Sequence, residues 1–180
     1  MTTASTQGVP PPRSLAEAAA TYDVAIIGAG IAGLTAGILL RRNGYTVVCL
    51  DPTRHPHQKV GESLDWSSPA LLRRAGIDVE ALLADEIATL KRRIAVNEIG
   101  KAEWTAAPPP LIRRFPLRFE TITLHVDRAA LDARVFERAR ALGTHFVWER
   151  VVALDMKSDR IAGCSTTSGR RVEARWFTDA

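Results

Sequence analysis

Val24-Ala25-Ile26-Ile27-Gly28-Ala29-Gly30-Ile31-Ala32-Gly33, near the start of a 180-residue chain, decides how the rest is read. Its first four residues are apolar and mostly β-branched with no polar alternation, the pattern of a parallel strand buried on both faces. The glycines follow at once: Gly28 permits a tight turn, Gly30 puts no side chain in the way of a pyrophosphate, and Gly33 lets a helix approach the strand. Ile31, Leu34, Ile38 and Leu39 then recur at helical spacing, which predicts a helix over 31–43 with Gly44 as its stop. Residues 46–50 read as a second buried strand, giving a right-handed βαβ unit. A helix opening on this turn aims the N–H groups of Ile31, Ala32 and Gly33, and the positive end of its dipole, at a phosphate. Asp51 ends the second strand 18 residues after Gly33, where an acid accepts hydrogen bonds from an adenosine ribose and disfavours a 2′-phosphate. These residues predict a dinucleotide site in an α/β, Rossmann-like domain; the motif alone leaves NAD and FAD both open.

Outward from this unit the pattern loosens. Residues 52–58 form a polar loop with His55 and His57, and a helix is expected over 68–75 and another over 79–90. Residues 93–99 read as a strand, 106–110 as a loop, and 117–126 as a strand with alternating Phe119, Ile122, Leu124 and Val126. Together 66–126 form a partial α+β insertion between the nucleotide-binding elements. Asp127 N-caps a predicted helix over 128–142, with Leu131, Val135, Ala139 and Leu142 on one face and Gly143 as its stop. Three strands close the chain: 145–148 running on towards 154, 161–167, and 172–177, with turns at Lys157-Ser158-Asp159 and Ser168-Gly169.

Composition sets the outer limits. Hydrophobic residues make up 46% and charged residues 24%, enough apolar side chain for one packed core. The net charge of +4 comes from twenty arginines and four lysines scattered among twenty acids, so no basic face for nucleic acid is expected. Cys49 and Cys164 have no metal-type or disulfide-framework spacing, which suits a reducing cytoplasm. Residues 1–21 read as a disordered tail with a Pro10-Pro11-Pro12 run, and 22–180 as the folded domain. The uncharged stretch 24–40 is short for a membrane span and holds four glycines, so none is expected. A metal site at His55, His57 and Asp51 is less favoured than a polar loop beside a ribose acid, and the four tryptophans read as core or pocket lining.

The segment 23–50, then Gly61-Glu62-Ser63-Leu64, then Asp127-Arg128-Ala129-Ala130-Leu131-Asp132, together resemble the FAD-dependent monooxygenase and halogenase superfamily. Gly61-Glu62-Ser63-Leu64 is similar to its halogenase and geranylgeranyl-reductase branch. The resemblance implies FAD as cofactor, Glu62 and Ser63 near it, Arg128 reaching it from the start of the later helix, and Val152 holding adenine through its main chain. A cation in a first helical turn opposes the helix dipole, which independently calls for an anionic partner at Arg128. Lys91 precedes apolar Ile94 and Val96 much as a halogenase lysine that handles hypohalous acid would; Lys91-Arg92-Arg93 reads more simply as a solvated run.

The last nine residues, Val172-Glu173-Ala174-Arg175-Trp176-Phe177-Thr178-Asp179-Ala180, look like a family strand leading into an Asp-Ala-Ser-Gly stretch. The resemblance covers 23–180 but less than half of a family enzyme, so the domain is expected to be truncated, with strands at 93–99 and 117–126 lacking sheet partners. By resemblance the chemistry is O₂ activation by reduced flavin, on an aromatic or polyketide-like small molecule. NAD(P)H is a possible electron donor and a flavin reductase a possible partner. Isoprenoid reduction or cyclisation, and an inactive nucleotide-binding fragment, are the alternatives.

Overall fold

The computed structural model describes residues 21–54, 60–65, 67–91, 94–97, 104–107 and 123–180. The chain divides into two compact units, one formed by residues up to His57 with Arg134–Ala180, the other by Gln58–Ala133.

The first unit is built on a six-stranded sheet. Strand β1 (Thr21–Ile27) leads through α1 (Ile31–Arg42) to β2 (Val47–Leu50), as the apolar run, the glycines and the helical spacing require. The residues after α4 (Arg128–Ala141) add β7 (His145–Val147), β8 (Val151–Lys157), β9 (Arg160–Thr166) and β10 (Arg171–Asp179). The strand order is β7-β2-β1-β10-β9-β8; the first four run parallel, and β10-β9-β8 form an antiparallel meander. The α/β Rossmann-type reading of the sequence is therefore the observed fold. The connection from β1 goes to β2 on one side while β10 returns on the other, so the C-terminal end of β1 is a switch point where such sheets take ligands.

Alternation along the strands gives the sheet two working faces. On one, α1 packs so tightly that a Cβ on Gly33 would lie 3.2 Å from Ile26 Cγ2 and one on Gly37 3.7 Å from Cys49 Sγ; Leu34 and Ile38 are fully buried here. On the other, Ala25, Val48, Leu50 and Val147 join Cys164, Val172 and Ala174 of the meander in one apolar cluster. Cys49 and Cys164 are both free and buried, and burial pushes the Cys49 thiol up to about 12.

In the second unit, α2 (Ser68–Ala75) ends at Gly76 in the left-handed region (φ +79°), and α3 (Val79–Ala84) starts at Asp78, whose carboxylate accepts from the Ala81 N–H. The helix expected over 79–90 stops at Ala84. Glu86 turns at φ +58°, and β3 (Ala88–Lys91) pairs antiparallel with β6 (Thr123–Val126). Ala106 and Ala107, read as loop, lie instead in β5 (Trp104–Ala107), paired with β4 (Ile94–Asn97). The strands expected to lack partners therefore have them: β6 pairs with β3 and β4 with β5, because antiparallel neighbours are supplied locally within the unit. The run from 145 towards 154 is also two strands, since β7 runs parallel to β2 whereas β8 must turn to meet β9 antiparallel. Phe119 and Ile122, and the rest of the expected strand before Thr123, lie outside the described residues, as do His55, His57 and Trp66.

Among the described residues no helix is long and apolar enough to cross a membrane, and no group of His, Cys, Asp and Glu could hold a metal ion.

Candidate dinucleotide-binding site

The glycine turn lies at the switch point. Gly28 has φ +108°, in the region L side chains rarely adopt, and its N–H donates to the Leu50 carbonyl at 2.8 Å. A Cβ here would sit 2.1 Å from the Ala180 main-chain oxygen. Gly33 meets the same constraint, since its Cβ would lie 2.2 Å from the Gly28 carbonyl oxygen. Gly30 differs: at φ −69°, ψ 179° its backbone suits any residue, and it lies on a half-exposed surface, so what glycine supplies there is the absence of a side chain and not conformational freedom. Gly30 is the N-cap of α1, no side chain caps the helix, and its first turn carries no acid. The N-terminal N–H groups around Ile31, Ala32 and Gly33 thus lack side-chain acceptors, and Ala32 is exposed.

Asp51 closes the turn from the side of β2. Its Oδ2 accepts from the Ala29 N–H at 2.8 Å and its Oδ1 from the Thr53 N–H at 2.8 Å. An ionised carboxylate offers about four acceptor positions, so each oxygen keeps capacity for a ribose hydroxyl. The sequence reading placed Asp51 but missed that it braces the glycine turn; the Asp51-Pro52-Thr53 spacing, typical of an Asx turn, was the available signal.

Val152 lies on the same unit. The β8–β9 register shifts between Val151 and Ala153, so Val152 is the extra residue of a bulge, without a ladder partner of its own, and it is 58% exposed. A groove of about 560 Å³ lined by Val151, Val152, Leu154 and Phe177 reaches Ile27, the residue before Gly28. Of the tryptophans, Trp148 stacks on Phe146 with centroids 5.3 Å apart, whereas Trp176 is 68% exposed and lines a surface groove with Met156 and Arg160 rather than the core.

Glu62, Ser63 and Arg128 come together in the second unit. The stretch before α2 runs along β6: Leu64 N–H donates to the Leu124 carbonyl, Val126 N–H to the Glu62 carbonyl, and Ser63 bridges His125. Arg128 Nη1 donates to the Val60 and Gly61 carbonyls, each at 3.2 Å, while Nε and Nη2 reach the two oxygens of Asp132 at 3.1 and 3.3 Å. Asp132 is fully buried, so the anionic partner that the first-turn cation calls for is found four residues along its own helix. Main-chain N–H groups of Glu62 and Gly61 hold the exposed Glu62 carboxyl below the usual range. Lys91 Nζ donates to Ser63 Oγ at 3.1 Å in an exposed hydrogen bond, and its carbonyl accepts from Thr123 Oγ1 at 2.9 Å; Arg92 and Arg93 of the same run lie outside the described residues.

A family model for an NAD(P)-binding Rossmann-like domain matches residues 26–59. Over 80 residues the chain is 35% identical to the 1H-pyrrole-2-carbonyl-(peptidyl-carrier protein) brominase of Pseudoalteromonas luteoviolacea (strain 2ta16), covering 44% of this chain and 19% of the brominase. Its fold matches that of the flavin-dependent brominase Bmp2 with a TM-score of 0.74 and 24% identity, over 89% of this chain and 38% of Bmp2. It also matches the Diels-Alderase PyrE3 with a TM-score of 0.71 and 21% identity, over 88% of this chain and 32% of PyrE3. The chain thus spans about a third of the solved relatives it matches. These findings bear out the resemblance to the FAD-dependent monooxygenase and halogenase superfamily.

Proposed function

We propose that the chain is the FAD-holding part of a flavin-dependent oxidoreductase, a halogenase or monooxygenase acting on an aromatic or polyketide-like small molecule. The observation that carries this reading is the uncapped first turn of α1, set between half-exposed Gly30 and an Asp51 carboxylate with acceptor capacity to spare. A dinucleotide fits this cradle: main-chain donors face where a pyrophosphate would lie, and the acid stands where a ribose would lie. Gly28, Gly30, Ile31, Ala32 and Gly33 would hold the pyrophosphate, Asp51 the ribose, and the bulged main chain at Val152 the adenine. By resemblance Glu62, Ser63 and Arg128 serve the same cofactor. FAD, when bound and reduced, supplies O₂ activation; NAD(P)H directly or a flavin reductase would deliver the electrons. Lys91 is, by resemblance, the chain's candidate for meeting hypohalous acid, and the hydrogen bond from its ammonium to Ser63 Oγ supports that reading.

The test is titration of the chain with FAD and, separately, NADH, read by flavin fluorescence and thermal shift. FAD binding that ADP displaces, without an NADH response, is expected. A folded chain that binds neither overturns the reading. Isoprenoid reduction or cyclisation is the second reading, favoured by the Gly61-Glu62-Ser63-Leu64 stretch and by a Diels-Alderase carrying the same fold. Product analysis on a full-length relative separates the two.

A further inference from the structure

We propose that Ser63 is a positioning residue for Lys91, and that Arg128 and Asp132 hold Ser63 where it does this. β3 pairs one side of β6 and the Ser63 stretch bridges the other, both meeting at His125. The Lys91–Ser63 hydrogen bond therefore reaches across β6 and joins two segments that no main-chain pairing joins. Register puts Lys91, Thr89, Thr123 and His125 on one face of the β3–β6 pair, opposite buried Ala88, Leu124 and Val126. Lys91 is fixed at its main chain by Thr123 Oγ1 and at its tip by Ser63 Oγ.

The acceptor is itself held. Hydrogen bonds at Glu62 and Leu64 flank Ser63, and the Arg128 guanidinium holds the Val60 and Gly61 carbonyls just before it. Gly61 sits at φ +104°, a conformation L side chains rarely adopt, and a Cβ there would lie 3.0 Å from Arg128 Nη1, so the backbone calls for glycine and the guanidinium lies directly against it. Buried Asp132 fixes the guanidinium through both oxygens. The line runs from Asp132 through Arg128 and the Gly61 carbonyl to Ser63 and Lys91. An ammonium carries three donors, so one given to Ser63 sets its direction and leaves two for a ligand. That this ligand is hypohalous acid rests on the function proposed above; the positioning does not.

The experiment treats the full chain, without flavin, with an amine-acetylating reagent and quantifies each lysine by peptide mass spectrometry. Lys157, exposed at the end of β8, is the internal reference. The bond to Ser63 restrains the Lys91 side chain and with it the directions from which its nitrogen can attack, so Ser63→Ala should raise the Lys91-to-Lys157 rate ratio about threefold, the low end of what a net hydrogen bond is worth. Ser63→Thr, which keeps the hydroxyl, should restore it. An unchanged ratio in Ser63→Ala, or a Ser63→Thr chain that behaves like Ser63→Ala, overturns the proposal. Since no flavin is present, the result stands or falls independently of FAD binding.

Discussion

Asp51 Oδ2 accepts a hydrogen bond from the Ala29 N–H at 2.8 Å, so the acid that ends β2 also braces the glycine turn that ends β1. Asp51→Asn keeps one acceptor oxygen but turns an NH2 towards the other main-chain N–H, so it should lose part of the stability that Asp51→Ala loses, together with about tenfold in ADP or FAD affinity. Asp51→Ala strands two main-chain N–H groups and should lose about 1–3 kcal/mol of stability as well. Thermal melts beside nucleotide titrations read both; equal affinity in all three chains would remove Asp51 from the site.

The glycines of the turn should fail in different ways. Gly33→Ala drives a methyl against the Gly28 carbonyl oxygen at 2.2 Å, main chain against main chain, and should cost about 3 kcal/mol or more. Gly30→Ala should leave the melting temperature almost unchanged, because its φ of −69° strains no residue. Gly30→Glu should keep the fold and abolish nucleotide binding by filling the phosphate position with like charge. Undiminished binding by Gly30→Glu would place the nucleotide elsewhere.

This contrast marks what the sequence made legible. The βαβ unit and its glycines could be read because every signal is local: a strand without alternation, a turn, a helical repeat, an acid. β3 could not, since Ala88 and Leu90 continue the apolar spacing of Val79 and Leu82, and only pairing with the distant β6 makes them a strand. Arg128 was legible as a cation needing an anion, but Asp132 as that anion required knowing that both face inward. The contact between Lys91 and Ser63 was illegible for the same reason, because Ser63 lies 28 residues away in sequence.

The Arg128–Asp132 pair yields a stability prediction. Asp132 is fully buried and the Arg128 side chain 13% exposed, so Asp132→Ala leaves a largely desolvated guanidinium without its counter-ion and should cost about 3–5 kcal/mol. Arg128→Met combined with Asp132→Leu should recover much of that loss. Urea unfolding of the single and double variants checks it; a single variant within 1 kcal/mol of the parent, on the scale of an exposed pair, would show the pair to be solvated.

Glu149 is one of the carboxylates that make the fold sensitive to acid. Its carboxylate accepts from Ser168 Oγ at 2.5 Å and from Thr166 Oγ1, and these hydroxyls hold its pKa below the ordinary 4.5. A group depressed in the folded state stabilises above its unfolded pKa and loses that contribution as pH falls through the folded value. The parent's melting temperature should therefore fall more steeply below pH 4.5 than that of Glu149→Gln, with parallel curves at higher pH. Parallel curves throughout would show that Glu149 makes no such contribution.

β10 belongs to two ladders at once: residues 171–173 pair with β9 and residues 173–179 with β1, and Glu173 faces Gly163 on one side and Thr21 on the other. A strand shared in this way splices the meander to the parallel sheet, so neither can open far without loosening the other. Amide protons of β1 beside the glycine turn and those of β9 should therefore exchange with solvent through a common opening, at rates that rise and fall together when either ladder is weakened.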